Sequence, residues 1–124
     1  NTKVLFDTAD ELGVTTVLDT ELAEMTVREA AERAVAAVAG DRPIHLSIDL
    51  DVLPAAVAPG VSAPAGFGVE YAMLRAMVAA VASTGRVALL DVVELNPDFD
   101  VDNRTAKAAA RLIDDAVVGA KLRR

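Results

Sequence analysis

The sequence predicts an α/β fold of three layers, with a parallel sheet between helices. Short, dense apolar runs at 14–18, 44–50 and 86–94 have the length and β-branched content of buried strands. Between them lie longer stretches whose apolar residues recur every three or four positions, the period of a helix buried along one side. The two kinds alternate with no repeat, low-complexity tract or linker, so the strands must be joined by right-handed crossovers, which makes the sheet parallel. At 124 residues the chain is one domain's worth, and a single domain over 1–124 is expected.

Taken in order, Val4, Leu5, Thr8, Ala9 and Leu12 predict a helix over 3–12, which Gly13 stops. Val14 to Leu18 follows as the first strand. Thr26-Val27-Arg28-Glu29 has the form of a capping box, and Val27, Ala30, Ala31, Ala34, Val35 and Val38 continue it as a helix ending at Gly40. Pro43 opens the strand Ile44 to Leu50, and a loop rich in Pro and Gly runs from Pro54 through Gly68. Val69, Ala72, Met73, Ala76, Met77 and Ala80 form the next helical stripe, closed by Gly85. Arg86 to Glu94 is the third strand, broken by Asn96-Pro97. Asp102 and Asn103 then precede a last helix with Ala109, Leu112, Ile113, Ala116 and Val117 inward and Gly119 near its end.

Composition narrows the function. Apolar residues make up 53% of the chain and mean hydropathy is +0.36, which excludes disorder. Twelve Lys and Arg against 19 Asp and Glu give a net charge of −7, the wrong sign for binding nucleic acid or an anionic membrane surface. No apolar run reaches the ~18 residues of a membrane span. The absence of cysteine rules out disulfides and thiolate metal sites and permits a reducing compartment without proving one; a cytoplasmic protein is the expectation. The chain begins at Asn1 rather than Met and enters helical patterning at once, as expected of a piece from the interior of something longer.

Ligands of such folds gather beyond the carboxyl ends of the strands. In Ser47-Ile48-Asp49-Leu50-Asp51, period-two alternation places both carboxylates on one side. Two like charges so close need compensation, and a hard divalent cation supplies it most directly; alternatively the aspartates cap the following loop. Glu94 ends the next strand on the same sheet edge, where it could face a cationic substrate or be a solvated loop acid. His45, the only histidine, is roughly 13 Å along an extended strand from Asp49, too far for one metal centre, and reads as a partly buried strand residue. Asp91 reads as a hydrogen-bonded buried acid on the face opposite Glu94. Asp98, Asp100 and Asp102 lack the Gly and distal Glu of a calcium loop. The Ala58-Pro59-Gly60-Val61-Ser62-Ala63-Pro64 loop could shape a pocket or simply connect the surface.

Ser47-Ile48-Asp49-Leu50-Asp51-Val52-Leu53-Pro54, the Ala58-Pro59-Gly60 turn before Ser62-Ala63-Pro64, and Glu94-Leu95-Asn96-Pro97 together resemble the carboxyl-terminal part of the ureohydrolases, the family of arginase, agmatinase and formimidoylglutamase. The resemblance covers nearly the whole chain and implies the carboxyl-terminal portion of an arginase-like fold. Such enzymes hydrolyse a guanidinium or formimidoyl carbon with a hydroxide shared by two manganese ions. It implies that Asp49 bridges both ions, that Asp51 binds one of them, and that Glu94 is the catalytic acid meeting the substrate's nitrogen-bearing group.

Leu53-Pro54 in place of Asp-Pro, the Pro59–Pro64 segment and Glu94-Leu95-Asn96-Pro97 are most similar to the formimidoylglutamase branch. That branch implies cleavage of N-formimidoyl-L-glutamate to glutamate and formamide in histidine degradation; agmatinase is the alternative. The family's other ligands, a histidine in a glycine-rich motif and a D-x-H-x-x-x-D-like element, lie in a preceding half that this chain lacks. The chain alone is therefore expected to be inactive. In the family the strands resembling 44–50 and 86–94 are neighbours and the one resembling 14–18 lies farther off, so the chain is expected either to bring 14–18 against the other two or to fill the vacancy with another chain, the missing half or a second copy in a homo-oligomer. A non-catalytic α/β binding or assembly domain is the reading from another class. A phosphoacceptor module is disfavoured, since no lysine lies between Lys3 and Lys107.

Overall fold

The computed structural model describes residues 2–121. Helix α1 spans Lys3–Glu11, α2 Asp19–Ala23, α3 Val27–Ala37, α4 Tyr71–Ala82 and α5 Arg104–Lys121; strand β1 is Ile44–Asp49 and β2 is Val87–Val93. None of the helices is long and apolar enough to cross a membrane.

The strand expected at Val14–Leu18 does not form. The segment has no strand partner, and Val14 and Leu18 stand exposed. A strand exists only beside a neighbour, and among the described residues the sheet holds only β1 and β2. Leu18 leads into α2, a single turn too short for a periodic signal, where the Leu18 amide donates to Glu21 Oε2 at 2.7 Å and Leu22 anchors it in the core.

The capping box at α3 forms as expected. The Glu29 amide donates to Thr26 Oγ1 at 3.2 Å and the Thr26 amide to Glu29 Oε2 at 2.8 Å. Ala30, fully buried, seats α3 against α4 together with Leu22, Val69 and Met73.

Strands β1 and β2 pair in parallel, with Ser47 beside Asp91 and Asp49 beside Val93. Leu46 and Ile48 of β1 and Leu90 and Val92 of β2 pack into the main core with Leu50, Leu53, Val78, Leu112 and Ala116. The opposite face carries His45, Ser47, Asp49, Leu89 and Val93, all exposed. The fold is thus α/β with a parallel sheet, and among the described residues the helical layer lies on one face; the third layer of the sequence reading is not formed by them.

Helix α5 buries Thr105, Ala108, Ala109, Leu112, Ala116 and Gly119. Ile113 and Val117, expected inward, are 42% and 43% exposed, because the buried stripe advances along 105, 109, 112, 116 and 119 and leaves those two on its flank. Helices α4 and α5 are joined by the Tyr71 hydroxyl, which donates to the Ala108 carbonyl at 3.0 Å, and by Arg75 with Asp115.

Candidate active site

The first candidate carboxylate belongs to the last residue of β1. Continued alternation would have kept Asp49 and Asp51 on one strand face, but the strand ends at Asp49, whose Oδ1 accepts from the Asp51 amide at 3.1 Å. The chain then tightens into a 3-10 turn, Leu50–Val52, fixed by the fully buried Leu50 and Leu53. The capping reading of the pair fits Asp49, which caps the turn, and the two carboxylates remain close. Burial first, then the Asp49 charge, a hydrogen bond with Asp49 and the Glu94 charge push the Asp51 carboxyl above its ordinary value. Both Asp49 and Glu94 thus act electrostatically on Asp51.

Glu94 follows directly after β2, one residue past the partner of Asp49. Its φ of +69° lies in the left-handed region, which costs a side-chain-bearing residue about 1 kcal/mol. The turn is tied to the proline-rich loop, for the Asn96 amide donates to the Gly60 carbonyl at 2.8 Å and Asn96 Nδ2 to Ser62 Oγ at 3.3 Å. Ala63 of that loop and the following Ala65 line a cleft of about 770 Å³ whose walls also include Asp51, Asp19, Phe6 and Met77.

His45 and Asp91 do not join this group. His45 Nε2 lies 2.5 Å from Asp91 Oδ2, and the Ser47 hydroxyl donates to Asp91 Oδ1 at 2.5 Å, so the three make a cross-strand network on the open sheet face. His45 is half exposed rather than partly buried, and Asp91 is hydrogen-bonded as expected but 38% exposed, because no second helical layer covers them. Ser47 and then His45, outweighing desolvation, hold the Asp91 carboxyl below its ordinary value.

Sequence reasoning missed two contacts behind the acids. The Gly68 amide donates to Asp19 Oδ2 at 3.1 Å, and the buried Thr105 hydroxyl accepts from the Gly60 amide at 2.7 Å. Glycines in the loop were visible signals; their distant partners were not.

Burial first, and then the neighbouring Asp49 and Glu94 charges, disfavour the ionised Asp51 carboxyl, and the donors are hard oxygens suited to a divalent ion such as manganese. The residues fit a share of such a site rather than the whole. Among the described residues no three His, Cys, Asp or Glu side chains form a group able to hold a metal.

The Arginase family model matches residues 1–119. The chain belongs to the arginase family. Within it, the chain is 50% identical over 113 residues to the formimidoylglutamase of Nocardia farcinica, covering 91% of this chain and 36% of that protein. With the formimidoylglutamase of Corynebacterium efficiens it shares 47% over 115 residues, 93% of this chain and 37% of that one. Among solved structures, the formimidoylglutamase of Bacillus subtilis superposes with a TM-score of 0.88 at 27% identity, covering 98% of this chain and 39% of that chain. A hypothetical agmatinase from Burkholderia thailandensis gives 0.80 at 34% identity, over 92% and 36%. The chain thus spans a little over a third of its arginase-family relatives, and its fold is a portion of an arginase-like one.

Proposed function

We propose that this chain is the carboxyl-terminal part of a manganese-dependent hydrolase that cleaves N-formimidoyl-L-glutamate to glutamate and formamide, a cytoplasmic step of histidine degradation. The observation that carries the reading is the convergence of Asp49, Asp51 and Glu94 at one sheet edge, within a chain up to 50% identical to proteins named formimidoylglutamase.

In this reading Asp49 and Asp51 would be ligands of the metal centre, held close by the turn that Asp49 caps. Manganese, when bound, lowers the pKa of water and polarises the carbon under attack. Glu94 accepts hydrogen bonds from the cationic amidine end of the substrate and holds its carbon over the two aspartates. The 3-10 turn keeps Asp51 beside Asp49, and the strand pairing sets Glu94 one residue past Val93, the register partner of Asp49. The imidazole ligands come from the part of the enzyme beyond this chain, which also covers the open sheet face. Two carboxylates alone leave a hard cation largely hydrated, so the isolated chain binds manganese weakly and is inactive.

Grafting tests this. Residues 1–119 replace the matching segment of the Nocardia farcinica formimidoylglutamase, and formamide release from N-formimidoyl-L-glutamate is followed with and without manganese. Manganese-dependent release, abolished by Asp49→Ala, Asp51→Ala or Glu94→Ala, is expected. A folded, metal-loaded hybrid that is inactive overturns the reading, and one that prefers agmatine moves it to the guanidino branch, to which the agmatinase likeness points.

A further inference from the structure

Behind Glu94, three segments distant in sequence meet at the amino end of α5. Thr105, in the first turn of α5, is fully buried, yet its hydroxyl is not idle. It accepts from the Gly60 amide at 2.7 Å, while the Thr105 amide donates to the Asp100 carboxylate. The Gly60 carbonyl in turn accepts from the Asn96 amide at 2.8 Å. Asp100 is itself pinned, Oδ1 accepting from the Val101 and Thr105 amides at 2.9 and 3.0 Å and Oδ2 from the Ala106 amide at 3.1 Å. The approach is close enough that a Cβ on Gly60 would lie 2.6 Å from the Asp100 Cβ, so position 60 takes only glycine without displacing the acid.

We infer that Thr105 and Asp100 are positioning residues for the active site: the relay Asp100–Thr105–Gly60–Asn96 lets the amino end of α5 fix the Glu94–Pro97 turn and the Pro59–Pro64 loop in a single arrangement. Neither residue belongs to the carboxylate set. Their effect reaches it because Glu94 is held in a left-handed conformation two residues before Asn96, and such a conformation persists only where its surroundings over-determine it. The relay supplies that restraint from one side, as the end of β2 does from the other. Its bearing on catalysis rests on the reading of Glu94 as the substrate-facing acid; its geometry does not.

The test uses this chain without metal or substrate, so that a failed graft and a failed relay are separate results. Thr105→Val removes the hydroxyl at nearly constant volume, and Thr105→Ser restores it. In Thr105→Val the amides of Gly60 and Asn96 are expected to exchange about tenfold faster, while Ile48 and Leu112 keep their protection. The Glu94 Cα chemical shift is expected to leave its left-handed value, and Thr105→Ser to recover both signals. A Glu94 shift unmoved in Thr105→Val, or loss of protection spread evenly over the core, overturns the inference. Should Thr105→Val not fold, Asp100→Asn decides. It keeps one acceptor oxygen, so the same pattern at smaller size supports the relay, and an unchanged Asn96 amide overturns it.

Discussion

The guanidinium of Arg75 on α4 meets the carboxylate of Asp115 on α5 through two parallel hydrogen bonds, Nε to Oδ2 at 2.6 Å and Nη2 to Oδ1 at 2.9 Å. The Asp115 side chain is only 12% exposed, and Arg111 approaches it at 3.4 Å from the preceding turn. Removing Arg75 leaves a shielded carboxylate short of its main partner. Arg75→Met is expected to cost roughly 1–3 kcal/mol by urea denaturation, and adding Asp115→Asn to recover part of the loss. A single variant as stable as the parent would show the pair to be an ornament of the surface.

Acid should unfold the chain through these same contacts. Hydrogen bonding to Arg75, opposed by burial, holds the Asp115 carboxyl below its ordinary value; at Asp100 burial pulls upward but the amides of Thr105, Ala106 and Val101 and the Thr105 hydroxyl outweigh it. Both groups bind protons more weakly folded than unfolded, so their stabilisation is full above about pH 4 and is lost as pH falls through the lowered folded values. Asp51, shifted the other way, gains from protonation and offsets part of that loss. Melting temperature should therefore drop between pH 5 and 2, less steeply in Asp115→Asn, and an unchanged slope in that variant would contradict the assignment.

Gly68 adopts a φ of +78°, and a Cβ there would come 2.7 Å from the Pro54 nitrogen and 2.9 Å from the Val52 oxygen. Both obstacles are backbone, which cannot rotate aside. Gly68→Ala should destabilise by roughly 2–4 kcal/mol and displace the turn holding Asp51. Equilibrium unfolding with the Asp51 amide shift as a local probe measures both.

Glu94 carries the opposite burden. Glycine there removes the left-handed strain, so Glu94→Gly should raise stability by up to about 1 kcal/mol while abolishing formamide release by the grafted enzyme. A loss of stability instead would mean that the Glu94 side chain supports the fold.

What was legible in the sequence is what local chemistry decides. Thr26 and Glu29 announce the start of α3 because a capping box closes within four residues, and Ile44–Asp49 and Val87–Val93 announce themselves by strand-length apolar runs. Asp49, Asp51 and Glu94 stand out as candidates because strand ends and motif spacing mark them. Val14–Leu18 reads as a strand for the same local reasons but has no strand beside it among the described residues, and pairing is not a local property. The Asp49 carboxylate turned the chain at Asp51, a side-chain hydrogen bond that alternation does not foresee. Thr105 was invisible because its partner Gly60 is 45 residues away.

That separation has a kinetic side. Ser47 and Asp91, hydrogen-bonded across the sheet, are 44 residues apart, and the crossover between their strands must close before either ladder bond can form. Helix α3, capped by its own neighbours, can take shape early, whereas β1 and β2 join late because the loop-closure entropy precedes the reward. Asp49 and Asp51 are brought together by a local turn, whereas Glu94 joins them only once β1 and β2 have paired, so the candidate site is completed by the slow, non-local step.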